Sequence, residues 1–259
     1  MPGTSLFVFH FMTRENFGGT TTEEGHKAVF GGKEHIYEHG VGFLVHKDIV
    51  NTVMGCRPVS SRLITVRLWA VPFNITVVQA YAPTSDYDDN EIEEFYDQLQ
   101  NVIDQTPKKD ILVVQGDWNA KVGRDACENW QGICGTFCNN NTDERALRLL
   151  EFATFNDPVL ANTFGHHKAS RRWTRHSPNG QHHNQITFKW GSASDQEWTV
   201  TEHEIFQEQP LEVTPTCWWW PSTFVWKKSA SQNTRLKFDL EKLKAVSYTH
   251  LTLPTRRTV

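Results

Sequence analysis

The chain has 259 residues, 38% hydrophobic and 22% charged, with 16 glycines and 11 prolines, enough for one sizeable core or two small ones. Collagenous and wholly disordered chains are excluded, and with a mean hydropathy of −0.52 no run approaches the ~18 consecutive apolar residues of a membrane-spanning helix. A net charge of −4 argues against nucleic-acid binding through bulk electrostatics and leaves only a local basic face for it.

The first segment, MPGTSLFVFHFMTREN, has neither a basic region ahead of its apolar stretch nor a small-residue cleavage site after it, so no signal peptide is read. Cys56, Cys127, Cys134, Cys138 and Cys217 form no C-x2-C pair. A disulfide framework and a zinc ribbon are therefore not indicated, and the expected setting is reducing and intracellular, the nucleus included. Residues 1–39 show no strand signal beyond LFVFHF, and GGTTTEEGHK reads as a polar stretch.

From there the local signals agree. Residues 41–45 (VGFLV), 63–69 (LITVRLW), 75–80 (ITVVQA) and 111–115 (ILVVQ) are β-branched, apolar runs of strand length. Turn chemistry separates them: Asn51, Gly55 and Pro58 after the first, Pro72 and Asn74 before the third, 107–110 before the fourth. Between 91 and 103, Ile92, Phe95, Tyr96, Leu99, Val102 and Ile103 recur at helical spacing behind an acidic first turn. A second helix is expected over 144–155, capped by Thr142 or Asn141, with Ala146, Leu149, Leu150 and Ala153 inward. The order of strands and helices indicates an α/β sandwich. Residues 187–232 follow neither period and hold six of the ten tryptophans (Trp190, Trp198, Trp218, Trp219, Trp220, Trp226). No folded segment is expected there.

Three features carry chemistry. Asp117 and Asn119, in the GDWN that follows ILVVQ, stand at the carboxyl end of a buried strand, where α/β sheets bind ligands. Asp can orient or deprotonate a water beside a hard cation, and the Asn amide donates to a phosphoryl oxygen without adding charge; the same residues also make an ordinary turn. Tyr81 ends the neighbouring strand, where its phenol would reach either a phosphate oxygen or water. The third is the basic run His166, His167, Lys168, Arg171, Arg172, Trp173, Arg175 and His176, which mixes cations with an aromatic as nucleic-acid loops do, or as a solvated loop does. Cys127, Cys134 and Cys138 match no known metal spacing.

Taken together, GVGFLV, YAPTSD, TPKKDILVVQGDWNAKVG, RLLEFA, LANTF and WTRHSPNGQHHNQI resemble the endonuclease/exonuclease/phosphatase family, and within it the non-LTR retrotransposon endonuclease domains of the craniofacial development protein 2-like type. The resemblance spans about residues 20–186, with 1–19 a divergent N-terminal segment. It implies a four-layer α/β sandwich, incomplete at both ends, and magnesium-dependent cleavage of a DNA phosphodiester. It also implies that Asp117 orients the attacking water, that Asn119 and Tyr81 hold the scissile phosphate, and that Lys168, Arg171, Arg172, Trp173, Thr174 and Arg175 touch DNA. The general argument for a hard cation near Asp117 fits manganese equally.

The sequence departs from that pattern in two places. Phe11 falls near the position of the metal-binding Glu, and no Ser-Asp-His motif follows Ile186 to supply a catalytic imidazole. Reading the codons of 212–216 one nucleotide earlier permits Ser-Asp-Pro-Asp, and the family pattern returns at NTRLKFDLEKLK. The implied organisation is an out-of-frame segment over 187–232, a family-like tail over 233–244, and a stretch over 245–259 that resembles a translated sequencing adapter. Three functions stand on this reading: a catalytically inactive endonuclease-like domain with weak DNA contact and no membrane association, an active nuclease using Glu15, Glu23 or Glu24 as substitute ligands, and a non-enzymatic DNA-binding module.

Overall fold

The structure, a computed structural model, describes residues 4–13, 17–32, 38–138, 141–156, 158–164, 172, 174–176, 183–192 and 222–226. Its strands are β1 (Thr4–Thr13), β2 (Phe17–Thr21), β3 (Lys27–Gly31), β4 (Glu38–Val45), β5 (Val53–Pro58), β6 (Leu63–Leu68), β7 (Ile75–Tyr81), β8 (Ile111–Asp117), β9 (Pro158–Leu160), β10 (Arg175–His176), β11 (His183–Asn184), β12 (Thr187–Ser192) and β13 (Ser222–Trp226). The α-helices are α1 (Asp89–Gln105), α2 (Ala126–Asn129) and α3 (Glu144–Asn156). Strands β13-β1-β4-β3-β2 form one sheet, β5-β6-β7-β8-β12-β9 a second, and β10-β11 a small hairpin.

Alternation along the strands creates two cores. Ile64, Val66 and Leu68 on β6 and Ile75, Val77 and Tyr81 on β7 face Leu6, Val29, Val41, Phe43 and Val45 of the five-stranded sheet. Leu63, Val78, Ala80, Val114, Phe188 and Trp190 point the other way, onto the helices. On α1, Ile92, Phe95, Tyr96, Leu99 and Val102 are buried, and Asp88 caps the helix by accepting the Glu91 N–H at 2.9 Å. Each such side chain, fully buried, is worth ~1.5–3 kcal/mol. The described residues thus supply three stacked layers: a sheet, a second sheet and helices. Helix α1 is also the crossover between β7 and β8, the one parallel pair among the described strands of the six-stranded sheet, because parallel neighbours need a long connection.

Several local expectations are corrected. The polar FGGTT forms strand β2 and pairs with β3. Residues 53–58, expected as a turn, form the edge strand β5, where the register slips between Val53 and Gly55 and Pro58 ends the pairing. The cap of α3 is Asp143, whose Oδ1 accepts the Ala146 N–H at 2.9 Å, rather than Thr142 or Asn141; the Thr142 hydroxyl instead donates to Asp125 at 2.7 Å. Thr187–Ser192 is a strand, paired antiparallel to β8 and to β9, so the packed sheet continues past Ile186. Its alternation is short but sound, with Phe188 and Trp190 buried against the helices.

Candidate functional site at the ends of the parallel strands

Strands β7 and β8 run in register, Ala80 beside Gly116 and Tyr81 beside Asp117, so their last residues emerge together. Gly116 is required by that closeness: a Cβ there would lie 1.9 Å from the Ala80 carbonyl oxygen. Trp118, 1% exposed, turns back into the core. Its indole N–H donates to the Phe188 carbonyl at 3.1 Å and its backbone N–H to Ile186 at 2.8 Å, which fastens the turn to β12. Asn119 then adopts a left-handed φ of 47°, a region that Asn tolerates better than most residues. Its N–H donates to Asp117 Oδ1 at 3.0 Å and its Nδ2 to the Ala82 carbonyl at 2.8 Å. The turn is therefore built by the site residues themselves, and the Tyr81 phenol meets the Asn119 side chain across it.

The electrostatics follow from burial. Burial pushes the Asp117 carboxyl up to about 6, against the Asn119 N–H and the charge of Arg175, which favour the carboxylate. The Tyr81 phenol is raised, chiefly by burial and then by the nearby Asp117 charge, while the Asn119 hydrogen bond and Arg62 act in the opposite sense. Asp117 and Asn119, read from one motif, and Tyr81, read from another, are thus brought to one place.

The basic run divides. Lys168, Arg171 and Trp173, with His166 and His167, lie outside the described residues. Arg175 is exposed and close enough for its charge to act on Asp117. Arg172 is half-buried and donates to the Cys138 carbonyl at 3.1 Å, which ties the run to the protein body. Thr174 is 1% exposed, and its hydroxyl accepts the Ile186 N–H at 2.7 Å, so it braces the site instead of facing DNA.

Two cations were not foreseen. Arg62, just before β6, lays its guanidinium over the Tyr87 ring at 4.5 Å and the Tyr81 ring at 5.6 Å; nothing in the sequence distinguishes it from other arginines. Lys189, on β12, is partly buried, and burial lowers its ammonium to about 8. Its signal was in the sequence, a lysine between two large aromatics at strand spacing, in a stretch expected to be unfolded.

The magnesium implied by the resemblance does not find its ligands: among the described residues no group of three or more His, Cys, Asp or Glu is placed to hold a metal ion. Of the substitute ligands considered, Glu23 is exposed in the β2–β3 turn, Glu24 bonds His26 at 3.2 Å, and Glu15 lies outside the described residues. The thiols of Cys134 and Cys138 donate to the carbonyls of Trp130 and Gly135.

Fold and site together define an α/β sandwich of two sheets and helices whose polar residues converge at the carboxyl ends of its parallel pair. Two curated proteins are similar to this chain in sequence. Over 180 residues, 68% of its length, the chain is 36% identical to craniofacial development protein 2 of Bos taurus, and it is 35% identical over 180 residues to the protein of the same name from Tragulus javanicus. The chain is thus similar in sequence to the craniofacial development protein 2 proteins and spans about 30% of the bovine protein's length. No protein-family model matches it. Among solved structures it is similar to the endonuclease domain of TRAS1, a telomere-specific non-LTR retrotransposon, at a TM-score of 0.42 and 14% identity over 73% of this chain and 69% of that one. It is also similar to an endonuclease/exonuclease/phosphatase family protein from Leptotrichia buccalis, at a TM-score of 0.43 and 12% identity over 66% and 61%. No helix among the described residues is long and apolar enough to cross a membrane.

Proposed function

We propose that the chain is an endonuclease-like domain that retains the phosphate-holding half of a phosphodiesterase site and lacks the metal-holding half. The observation that carries this reading is the convergence of Tyr81 and Asp117, in register at the ends of β7 and β8, with Asn119 folded over them. Asp117, with a carboxyl near 6, is largely ionised at neutral pH and is the group able to orient a water. Asn119 donates one amide N–H to Ala82 and meets the Tyr81 phenol with the same side chain, which sets the Tyr81 hydroxyl beside Asp117 as the group to receive a phosphoryl oxygen. Arg175, with the neighbouring basic run, is the local cation that draws a nucleic-acid backbone to an otherwise acidic chain.

Phosphodiester hydrolysis also needs the phosphate charge neutralised and the leaving oxygen protonated. Phe11 stands on β1 opposite Gly40, where the resemblance calls for a metal-binding Glu. Loss of a positioned acid/base group alone costs roughly 10²- to 10⁴-fold. Purified protein with magnesium is therefore expected to leave supercoiled plasmid un-nicked above background while retaining weak, salt-sensitive DNA binding. Magnesium-dependent nicking that disappears in Asp117→Ala would overturn the inactive reading.

A further inference from the structure

The chain first passes from the five-stranded to the six-stranded sheet through a short 3-10 helix, Lys47–Thr52, between β4 and β5. Ile49 anchors this crossover in the core between the sheets, and the Thr52 carbonyl accepts the Trp69 N–H at 2.7 Å. Its first turn presents backbone N–H groups that have no carbonyl inside the helix to bond. Two histidines take them. The Lys47 N–H donates to His26 Nδ1 at 3.1 Å, and the Asp48 N–H donates to His46 Nδ1 at 3.3 Å. The centroids of the two rings are 4.6 Å apart.

His26 reaches the helix from the β2–β3 turn, 21 positions earlier in the chain. The turn holds it firmly: the Thr22 N–H donates to the His26 carbonyl at 2.8 Å, and the His26 N–H to Thr22 Oγ1 at 3.0 Å. Gly25 closes the turn at a φ of 88°, and a Cβ there would stand 3.7 Å from the Lys47 Cβ, so turn and helix start are in contact. His26 Nε2 lies 3.2 Å from Glu24 Oε2. One protonation state satisfies both contacts of this ring: neutral, with the hydrogen on Nε2 given to Glu24 and the Nδ1 lone pair left for Lys47. His46 needs the same lone pair for Asp48. An imidazolium carries hydrogens on both nitrogens and can accept from neither N–H.

We propose that His26 and His46 form an acid-released clamp: as neutral rings they cap successive N–H groups of the crossover helix, and their protonation frees both that helix start and the β2–β3 turn. The clamp stands on these contacts and is independent of the endonuclease-like reading. Burial first, then His26, lowers the proton affinity of His46; Lys47 acts in the same sense, and the Asp48 and Glu24 carboxylates oppose it. Lys27, the other charge on this hairpin, acts on Cys56 of β5. The native state therefore binds a proton at His46 less readily than the unfolded chain, so this group's contribution is present above the ordinary imidazole range and is lost as pH falls through it. Asp48 Oδ2, 3.4 Å from His46 Nδ1, offers the protonated ring a new partner. The cap is exchanged for a side-chain ion pair.

The test is NMR on the full chain with 15N-labelled histidine, together with amide hydrogen exchange at Lys47 and Asp48. At about pH 8 both rings should show a bare Nδ1 and a protonated Nε2. Lowering the pH to about 5.5 should speed exchange of the two amides by about ten-fold or more, corrected for the intrinsic rate, while the Val78 amide in the central sheet keeps its protection. His26→Asn combined with His46→Asn leaves an acceptor near each Nδ1 position and cannot be protonated, so its amides should exchange with no such step. In His26→Asn alone the His46 midpoint should rise, because a neighbouring positive charge is gone. If the double variant does not fold, the tautomers of the parent and the titration of the single variant still decide. Nδ1–H tautomers at about pH 8, unchanged exchange on acidification, an equal increase in a folded double variant, or a His46 midpoint that does not rise in His26→Asn would each overturn the clamp.

Discussion

Replacing Asp117 with Asn separates the thermodynamics of the site from its chemistry. The carboxyl sits at about 6 in the folded protein, above the usual value because burial disfavours its charge. The native state therefore binds this proton more tightly than the unfolded chain. Stability is highest below the ordinary aspartate range and falls as pH rises from ~4 to ~6, where the unfolded chain has released the proton and the native one has not. A shift of about 2 units at about 1.4 kcal/mol each gives a penalty of about 3 kcal/mol once both states are ionised. Asn keeps the acceptor that takes the Asn119 N–H at 3.0 Å and carries no charge. Urea denaturation of the two proteins side by side should show Asp117→Asn more stable by ~2–3 kcal/mol at pH 8 and equal near pH 4. Since other carboxyls titrate identically in both, the difference isolates Asp117. A destabilised Asp117→Asn at pH 8, or a difference that does not change with pH, would refute a charge held unfavourably by burial.

Gly116→Ala would place a Cβ 1.9 Å from the Ala80 carbonyl, and separating two central strands should cost more than ~3 kcal/mol or prevent folding, read by circular dichroism melts. Arg67 grips Asp110 through Nε at 2.6 Å and Nη2 at 2.9 Å. Burial alone would raise the Asp110 carboxyl, but hydrogen bonds from Arg67 and Thr76 outweigh it and hold the carboxyl low. Arg67→Ala should lower the melting temperature above about pH 5, with the deficit shrinking as pH falls through the depressed value. A chain ending at Ile186 loses Phe188 and Trp190 from the helix-side core and uncovers β8, whereas one ending at Ser192 keeps both. Only the longer chain should melt cooperatively, and equal cooperativity would show β12 to be dispensable.

The elements legible in the sequence were those whose stabilisation is local or two-sided. Runs such as ITVVQA and ILVVQ are apolar on both faces because a sheet lies on one side and helices on the other, and they emerged at their expected places as β7 and β8. Helix α1 declared itself through an apolar stripe and an acidic first turn. Edge strands carry no such mark. FGGTT in β2 is mostly exposed, and Met54, Gly55 and Arg57 on β5 face solvent, so pairing with a neighbour, not side-chain pattern, makes them strands. The α3 cap was misplaced because Asn141, Thr142 and Asp143 are all competent caps, and the choice was made by the Thr142–Asp125 hydrogen bond, seventeen positions away in the chain.

The site shows the same division at finer grain. Asp117 and Asn119 could be read because one turn holds both, and Tyr81 because it ends the adjacent strand. Lys189 depends on a strand that the tryptophan-rich composition around it concealed. Only three side chains of that strand decide the matter: Phe188 and Trp190 satisfy the helix-side core, and the residue between them has no choice but to face the other way.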